Sequence, residues 1–178
     1  MRLMPINSPE LVNLVAAWLA DERIARWLDF GNGVRSPGPA SLRIMAQKET
    51  HVLRVFTDDE ENAPIGVVGL SNIDRHFGTG MIWIALGERR FSARGHAFRA
   101  AAEMLEIAFG ELGLQAVNAW TVERNYASRR IIERLKFRPI GRQRRCHTID
   151  GQACDRLWYD MLASEFERME YRDAPQHA

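Results

Sequence analysis

Little cysteine, little net charge and no long apolar run distinguish this 178-residue chain. Its two cysteines, Cys146 and Cys154, are too few for a disulfide framework and cannot hold zinc without other ligands. They flank Asp150-Gly151, a strong signal for a two-residue hairpin turn. In that hairpin Ile149 faces Gln152, His147 faces Cys154 and Cys146 faces Asp155, so the two thiols point to opposite sides and should not pair. Lys and Arg number 24 against 23 for Asp and Glu, a net +1 that excludes a bulk polyanion binder. The longest apolar stretch, Leu14 to Ala20, falls far short of the roughly 20 residues a membrane span needs. The opening MRLMPINSPE has no signal-peptide core, so no membrane association and a cytoplasmic location are expected. There is no repeat, no G-x-G-x-x-G and no G-x-x-x-x-G-K-[ST], which leaves neither a dinucleotide fold nor a phosphate-loop NTPase supported.

What is present reads as a single domain over residues 1–172 with a frayed tail from Asp173. Ser8-Pro9-Glu10 starts a helix that carries Leu11, Leu14, Val15, Trp18 and Leu19. A short helix follows near Asp21, and a third runs from Ser41 to Lys48. Val52 to Phe56, Ile65 to Ile73 and Met81 to Leu86 are strands. The last is apolar on both faces and should lie centrally in the sheet. The acidic run Asp58 to Asn62 reads as a solvated turn. A long helix follows Gly95 and stops near Gly113. Ala116 to Val122 is a strand, Asn125 caps a helix from Tyr126 to Leu135, and Phe137–Ile149 with Gln152–Met161 closes the chain as a hairpin. Ser164 and Glu167 have the spacing of a capping box for a short terminal helix. The order predicts an α+β domain with a mixed, mostly antiparallel central sheet flanked by helices.

Chemistry concentrates between Gly87 and Ala97. A helix N-terminus offers unpaired N–H groups and a dipole that favours anions. Small residues before it admit a phosphate to the backbone. Arg89, Arg90, Arg94 and Arg99 surround that turn and can screen phosphate charge. The segment therefore predicts a site for a pyrophosphate-bearing ligand.

Four co-linear stretches give this segment a context. They are Trp18 to Leu28, Pro64–Leu70 with Asn72-Ile73-Asp74, the loop Gly87 to Ala97, and Asn125, Ser128, Leu135 and Phe137 followed by Asp150-Gly151. Together they resemble the GCN5-related N-acetyltransferases, and within them the branch of the ribosomal-protein N-terminal acetyltransferases. The loop is similar to that family's Q/R-x-x-G-x-G/A acyl-CoA loop, and the Asn125 helix to its N-x-x-S…L-G-F helix. The departures are Ser92 for Gln or Arg, Ala93 and Lys136 for Gly, Gly80 for a Glu, and Ile132 for a Tyr general acid. An Ala forced to positive φ at position 93 would cost roughly 1 kcal/mol.

The resemblance implies an acetyl-CoA-dependent transfer of an acetyl group to a primary amine by direct attack in a ternary complex, at a cleft between splayed strands. No metal is implied. The acceptor would be a protein N-terminus or a small amine. The alternative is a catalytically inactive relative that binds CoA or a partner. The backbone of Ala85, Leu86 and Gly87 would pair with the pantetheine arm, and the N–H groups of Arg94, Gly95, His96 and Ala97 would hold the pyrophosphate beside Arg89. Asn125 would contact pantetheine or order a water. Ser128 is the expected proton donor to the departing sulfur, and Asp74 and Glu123 are the candidate bases. The His96 ring reads as a surface imidazole, His76 as an exposed turn residue, and Trp83 and Trp120 as core. Arg142, Arg144 and Arg145 read as a solvated strand face rather than a nucleic-acid patch. A homodimer through the terminal hairpin is compatible with the sequence.

Overall fold

In the computed structural model, residues 1–31 and 36–167 are described. The chain begins with a short strand β1 (Leu3–Pro5) that the sequence pattern did not reveal, being too short to show a period. Three helices follow: α1 (Pro9–Ala20), α2 (Glu22–Ala25) and α3 (Pro39–Gln47). Their starts obey local chemistry. The N–H of Leu11 donates to Ser8 Oγ at 3.3 Å with Pro9 at the first position, and Gly38 precedes Pro39 in the same way at α3. Strands β2 (Val52–Thr57), β3 (Pro64–Asp74) and β4 (Thr79–Leu86) form an antiparallel meander. Helix α4 (His96–Glu106) runs into a π turn over Ile107–Glu111. After it come β5 (Ala116–Val122), α5 (Tyr126–Arg134), and the hairpin β6 (Arg138–Ile149) and β7 (Gln152–Leu162).

One seven-stranded sheet results, ordered β1-β2-β3-β4-β5-β7-β6, with β4 central as expected. Its two faces carry different layers. Ile82, Val117, Tyr159 and Met161 pack with Phe98, Ala101, Met104 and Leu105 of α4 in the largest core cluster. On the opposite face Val67, Val55, Leu53 and Ala85 pack beneath α1 and Leu42 of α3. A third, small cluster of Val122, Ile149 and Cys154 lies on that second face beside Trp27 and Trp120.

The hairpin forms with Ile149 opposite Gln152 and His147 opposite Cys154. A bulge between Gln143 and His147 breaks the expected Cys146–Asp155 register, and the Arg145 N–H donates to Asp155 Oδ1 instead. Both cysteines are free thiols. The Ser164–Glu167 box does not form. A 3₁₀ turn over Ala163–Glu165 takes its place, in which Glu165 accepts the Leu162 N–H and Glu167 pairs with Lys136. The acidic run is not a merely solvated turn either. Asp58 is buried and accepts the N–H groups of Glu61 and Ala63, while Asp59 holds Arg99 and the N-terminal amine. The tail from Asp173 lies outside the described residues.

Candidate active site

Strands β4 and β5 are parallel neighbours only over Thr79–Met81 and Ala116–Asn118. Beyond that point they have no pairing with each other, and a cleft of about 1280 Å³ opens between them. Its walls come from both faces of the sheet.

The backbone edge of β4 is the first element of the site. The Gly87 N–H donates to Ile65 O at 2.9 Å. In an antiparallel pair, residues alternate between facing the partner strand and facing away. From the register Val67–Ala85 and Gly69–Trp83, the main-chain groups of Ala85 and Trp83 are therefore turned to β3. Those of Ile84 and Leu86 are turned to the open cleft. Of the three residues expected to present backbone to a ligand, Leu86 does so, and Ile84 joins it. Ala85 and Gly87 are committed to β3.

The second element is the start of α4. Gly95 caps the helix at φ +79 with no side-chain cap, and Ala93 before it sits at φ +65. Left-handed residues on either side of Arg94 turn the loop sharply into the helix N-terminus. Among the described residues no acceptor meets the N–H groups of His96, Ala97 or Phe98. A Cβ built on Gly95 would meet nothing within 4 Å, so the approach to these donors is open. Arg89 lines the cleft here, whereas Arg94 and Arg90 lie over the Phe91 ring, 5.5 and 4.7 Å from its centroid. Arg99 is turned away to Asp59, its Nη1 donating to Oδ1 at 3.0 Å. The positive charge that does line this wall includes Arg130 and Arg134 of α5, the latter 3.8 Å from the Phe98 ring centroid. The sequence could have shown them, since residues four apart on a helix share a face.

His96 is not a surface residue: it is 5% exposed, edge-on to Phe91, with Nε2 3.3 Å from Asp59 Oδ2. Burial, reinforced by the Arg99 charge, holds its pKa below the ordinary histidine value.

The third element faces these across the gap. Asn125 caps α5, its Oδ1 accepting the Ser128 N–H at 3.2 Å. That bond leaves the Asn125 amide NH₂ available. The Ser128 hydroxyl, half-buried in the cleft wall, has no partner among the described residues. Ile132 lines the same wall and is buried. Asp74 and Glu123 are not brought to this wall. Asp74 accepts the N–H groups of His76 and Phe77, each at 2.9 Å, within the β3–β4 turn, and Glu123 accepts the Asp155 N–H at 3.1 Å.

The fourth element was not foreseen. Trp83 and Trp120 are half-buried and line the cleft rather than the closed core. Trp158 lies directly opposite Trp120 in the register of β5 and β7. Trp83 is two residues on from Met81, whose partner Asn118 is two residues before Trp120. The three indoles thus form a row across the face that carries α1–α3. Trp27 and Phe30 cover it, with Phe30 edge-on to Trp83 at 5.5 Å. Arg156 lies 4.1 Å from the Trp120 centroid and pairs with Asp29 at 2.5 Å, which holds the Asp29 carboxyl below its usual range.

Comparison with known proteins fits this geometry. The acetyltransferase (GNAT) domain family matches residues 1–138. The chain belongs to that family. It is similar to the SPbeta prophage-derived uncharacterized N-acetyltransferase YokL of Bacillus subtilis, 27% identical over 147 residues that cover 83% of this chain and 82% of the relative. Its fold matches the spermidine N-acetyltransferase of Vibrio cholerae solved with CoA and spermine, at TM-score 0.80 and 15% identity over 92% and 96% of the two chains. It also matches the ribosomal-protein-S5-alanine acetyltransferase of Vibrio fischeri, at TM-score 0.73 and 20% identity over 93% of each chain. A member of this acetyltransferase family with a mixed, helix-flanked sheet is what the sequence predicts.

Proposed function

We propose that this protein is an acetyl-CoA-dependent N-acetyltransferase that moves an acetyl group to a primary amine by direct attack in a ternary complex. The observation that carries the reading is the opening between β4 and β5. The outward backbone of Ile84 and Leu86, the unpartnered amides of His96 to Phe98, and the Ser128 hydroxyl all border one cleft.

The residues fit a long, pyrophosphate-bearing thioester. Leu86 and Ile84 offer the donor and acceptor pattern of a strand edge to an amide-containing arm. The α4 amides and Arg89, with Arg130 and Arg134 of α5 on the same wall, suit the pyrophosphate. When bound, acetyl-CoA supplies an acetyl group activated as a thioester. The chain's own part is to hold it in reach and to handle charge. An outward N–H of β4, such as that of Leu86, would serve as the donor to the developing oxyanion. Ser128 can give its hydroxyl proton to the departing sulfur and be reprotonated, through water, by the proton the attacking amine sheds as its new N–C bond forms. Asp74 and Glu123 take no part in this reading, because their carboxylates are occupied by backbone N–H groups outside the cleft. Water then carries the amine proton.

Calorimetric titration with acetyl-CoA tests the reading. Wild type should bind in the micromolar range. Gly95→Glu, which places a carboxylate beside the amides at a left-handed backbone position, should bind at least about tenfold more weakly. A folded wild type that binds no acetyl-CoA would overturn the function. Binding without turnover of any amine would favour the catalytically inactive alternative.

A further inference from the structure

The aromatic row on the far side of the cleft carries a statement about the acceptor. We propose that the acceptor is an aromatic α-amino amide: a primary α-amine beside a carbonyl, on a residue with a ring side chain. This rests on the acetyltransferase reading and deepens it. Three observations converge.

The first is shape and chemistry. Trp83, Trp120 and Trp158 floor the cleft on the face opposite α4, with Trp27 and Phe30 above them. A floor of flat apolar side chains with aromatic edges beside it suits a ring, which gains area burial there.

The second is charge. Among the described residues, Asp29 is the one carboxylate that lines the cleft, and Arg156 already neutralises it. Arg23, Lys48 and Arg156 supply positive charge on this side. With Arg156 held by Asp29 and Arg23 by Asp21, a polycationic amine would find no free carboxylate and would face the Lys48 ammonium. An α-amine next to a carbonyl has a pKa of about 7.7–8.0, against about 10.4 for an alkylammonium. Roughly a quarter of it is therefore neutral at physiological pH, against about a thousandth of an alkylammonium, so it can react without a carboxylate base, and Asp29, the one carboxylate in the cleft lining, is taken by Arg156.

The third is a pair of orphan donors. The indole N–H of Trp83 and the Nε of Arg156 are both buried, and neither has a hydrogen-bond partner among the described residues. A buried donor without a partner is costly. Both belong to cleft-lining side chains and both are donors, so a ligand that shifts the groups covering them gains by offering an oxygen acceptor. The carbonyl of an α-amino amide is such an acceptor.

The same chemistry has two sources, a free amino-acid amide or a polypeptide N-terminus with an aromatic first residue. The experiment separates them. Acetyl transfer is followed as release of free CoA thiol with five acceptors: phenylalaninamide, phenethylamine, a short peptide opening with Phe, the same peptide opening with Ala, and spermidine. At least one Phe acceptor should exceed the Ala peptide by roughly tenfold or more in kcat/KM, with spermidine lowest. A preference for the peptide over phenylalaninamide identifies an N-terminus, and the reverse identifies a small molecule. Trp158→Ala, at a half-exposed floor position, should raise KM for the Phe acceptor to the Ala level with kcat little changed. Trp83→Phe keeps the ring but removes the N–H, and should abolish the preference for phenylalaninamide over phenethylamine. Acetyl-CoA titration of each variant, read in parallel, should match wild type. An Ala peptide or spermidine turned over as well as the Phe acceptors would overturn the inference while leaving the acetyltransferase intact. So would Trp158→Ala leaving the preference unchanged. Loss of acetyl-CoA binding by wild type would instead strike the underlying function. Calorimetric binding of phenylalaninamide alone still reads the aromatic site in that case, and no binding there overturns it.

Discussion

The two faces of the sheet hold their halves of the cleft in different ways. On the α4–α5 face, backbone holds the site: the left-handed turn at Ala93 and Gly95, the helix N-terminus and the free edge of β4. One continuous apolar cluster supports it. On the α1–α3 face, side chains hold it: three indoles, Arg156 and Asp29, set between two separate smaller clusters. A backbone site depends on φ and on helix boundaries, and so accepts one fixed ligand chemistry. A side-chain site can change with each substitution while the sheet stays the same. The division suits an enzyme with a constant donor and a variable acceptor.

The strongest challenge to this comparison lies at Gly87, where the faces meet. A Cβ there would lie 2.1–2.4 Å from the Trp18 indole, whose Nε1 donates to Glu88 Oε1 at 3.1 Å. Gly87→Val should therefore lower unfolding free energy by about 3 kcal/mol, seen as an early urea midpoint. A loss under about 1 kcal/mol would mean that Trp18 does not bind the two halves together. Ser128→Ala comes next. It should reduce kcat by about a hundredfold and leave acetyl-CoA affinity within about threefold, because the proton transfer proposed for the hydroxyl is needed only as charge develops on sulfur. An unchanged kcat would remove Ser128 from proton transfer.

A smaller effect is expected at the end of α5. The Lys136 N–H donates to Glu133 O and the Phe137 N–H to Ile132 O, with Lys136 at φ +65. This is a Schellman ending with lysine where glycine is favoured. Lys136→Gly should stabilise by about 1 kcal/mol by denaturant titration, with the exposed Lys136–Glu167 pair contributing little. Destabilisation would show that the side chain matters more than the backbone.

The smallest effect is a slope. Burial keeps the His96 pKa in the folded protein below the 6.5 of a free histidine. The unfolded chain then binds the extra proton first as pH falls. Stability from this group is complete above 6.5 and is lost as pH drops towards the folded value. Urea midpoints measured from pH 7 to pH 5 should fall more steeply for wild type than for His96→Phe. Parallel curves would contradict the buried, neutral imidazole.

What the sequence shows and hides follows the same division. Helix caps at Ser8 and Asn125, the Gly95 loop and the Asp150-Gly151 turn are local, so one stretch of residues suffices to read them. The positive φ at Ala93 and Lys136 is foreshadowed by the glycines that related proteins carry there. The aromatic row is not local. Trp83, Trp120 and Trp158 come from three strands and meet only through register, and each alone looks like a core tryptophan. The bulge at residues 144–146 hides equally well, because nothing in an arginine-rich strand marks the two extra residues. The free edge of β4 needed both the pairing with β3 and the point where β5 leaves.

The central claim is that the donor lies along the β4 edge and over the α4 N-terminus, and it can be read amide by amide. Residue-resolved hydrogen exchange with and without CoA is the direct measurement. The account predicts added protection at Ile84, Leu86, His96, Ala97 and Phe98, and none at Ala85 or Gly87, which already face β3. Protection confined to the β6–β7 hairpin, or absent from both β4 and α4, would contradict it.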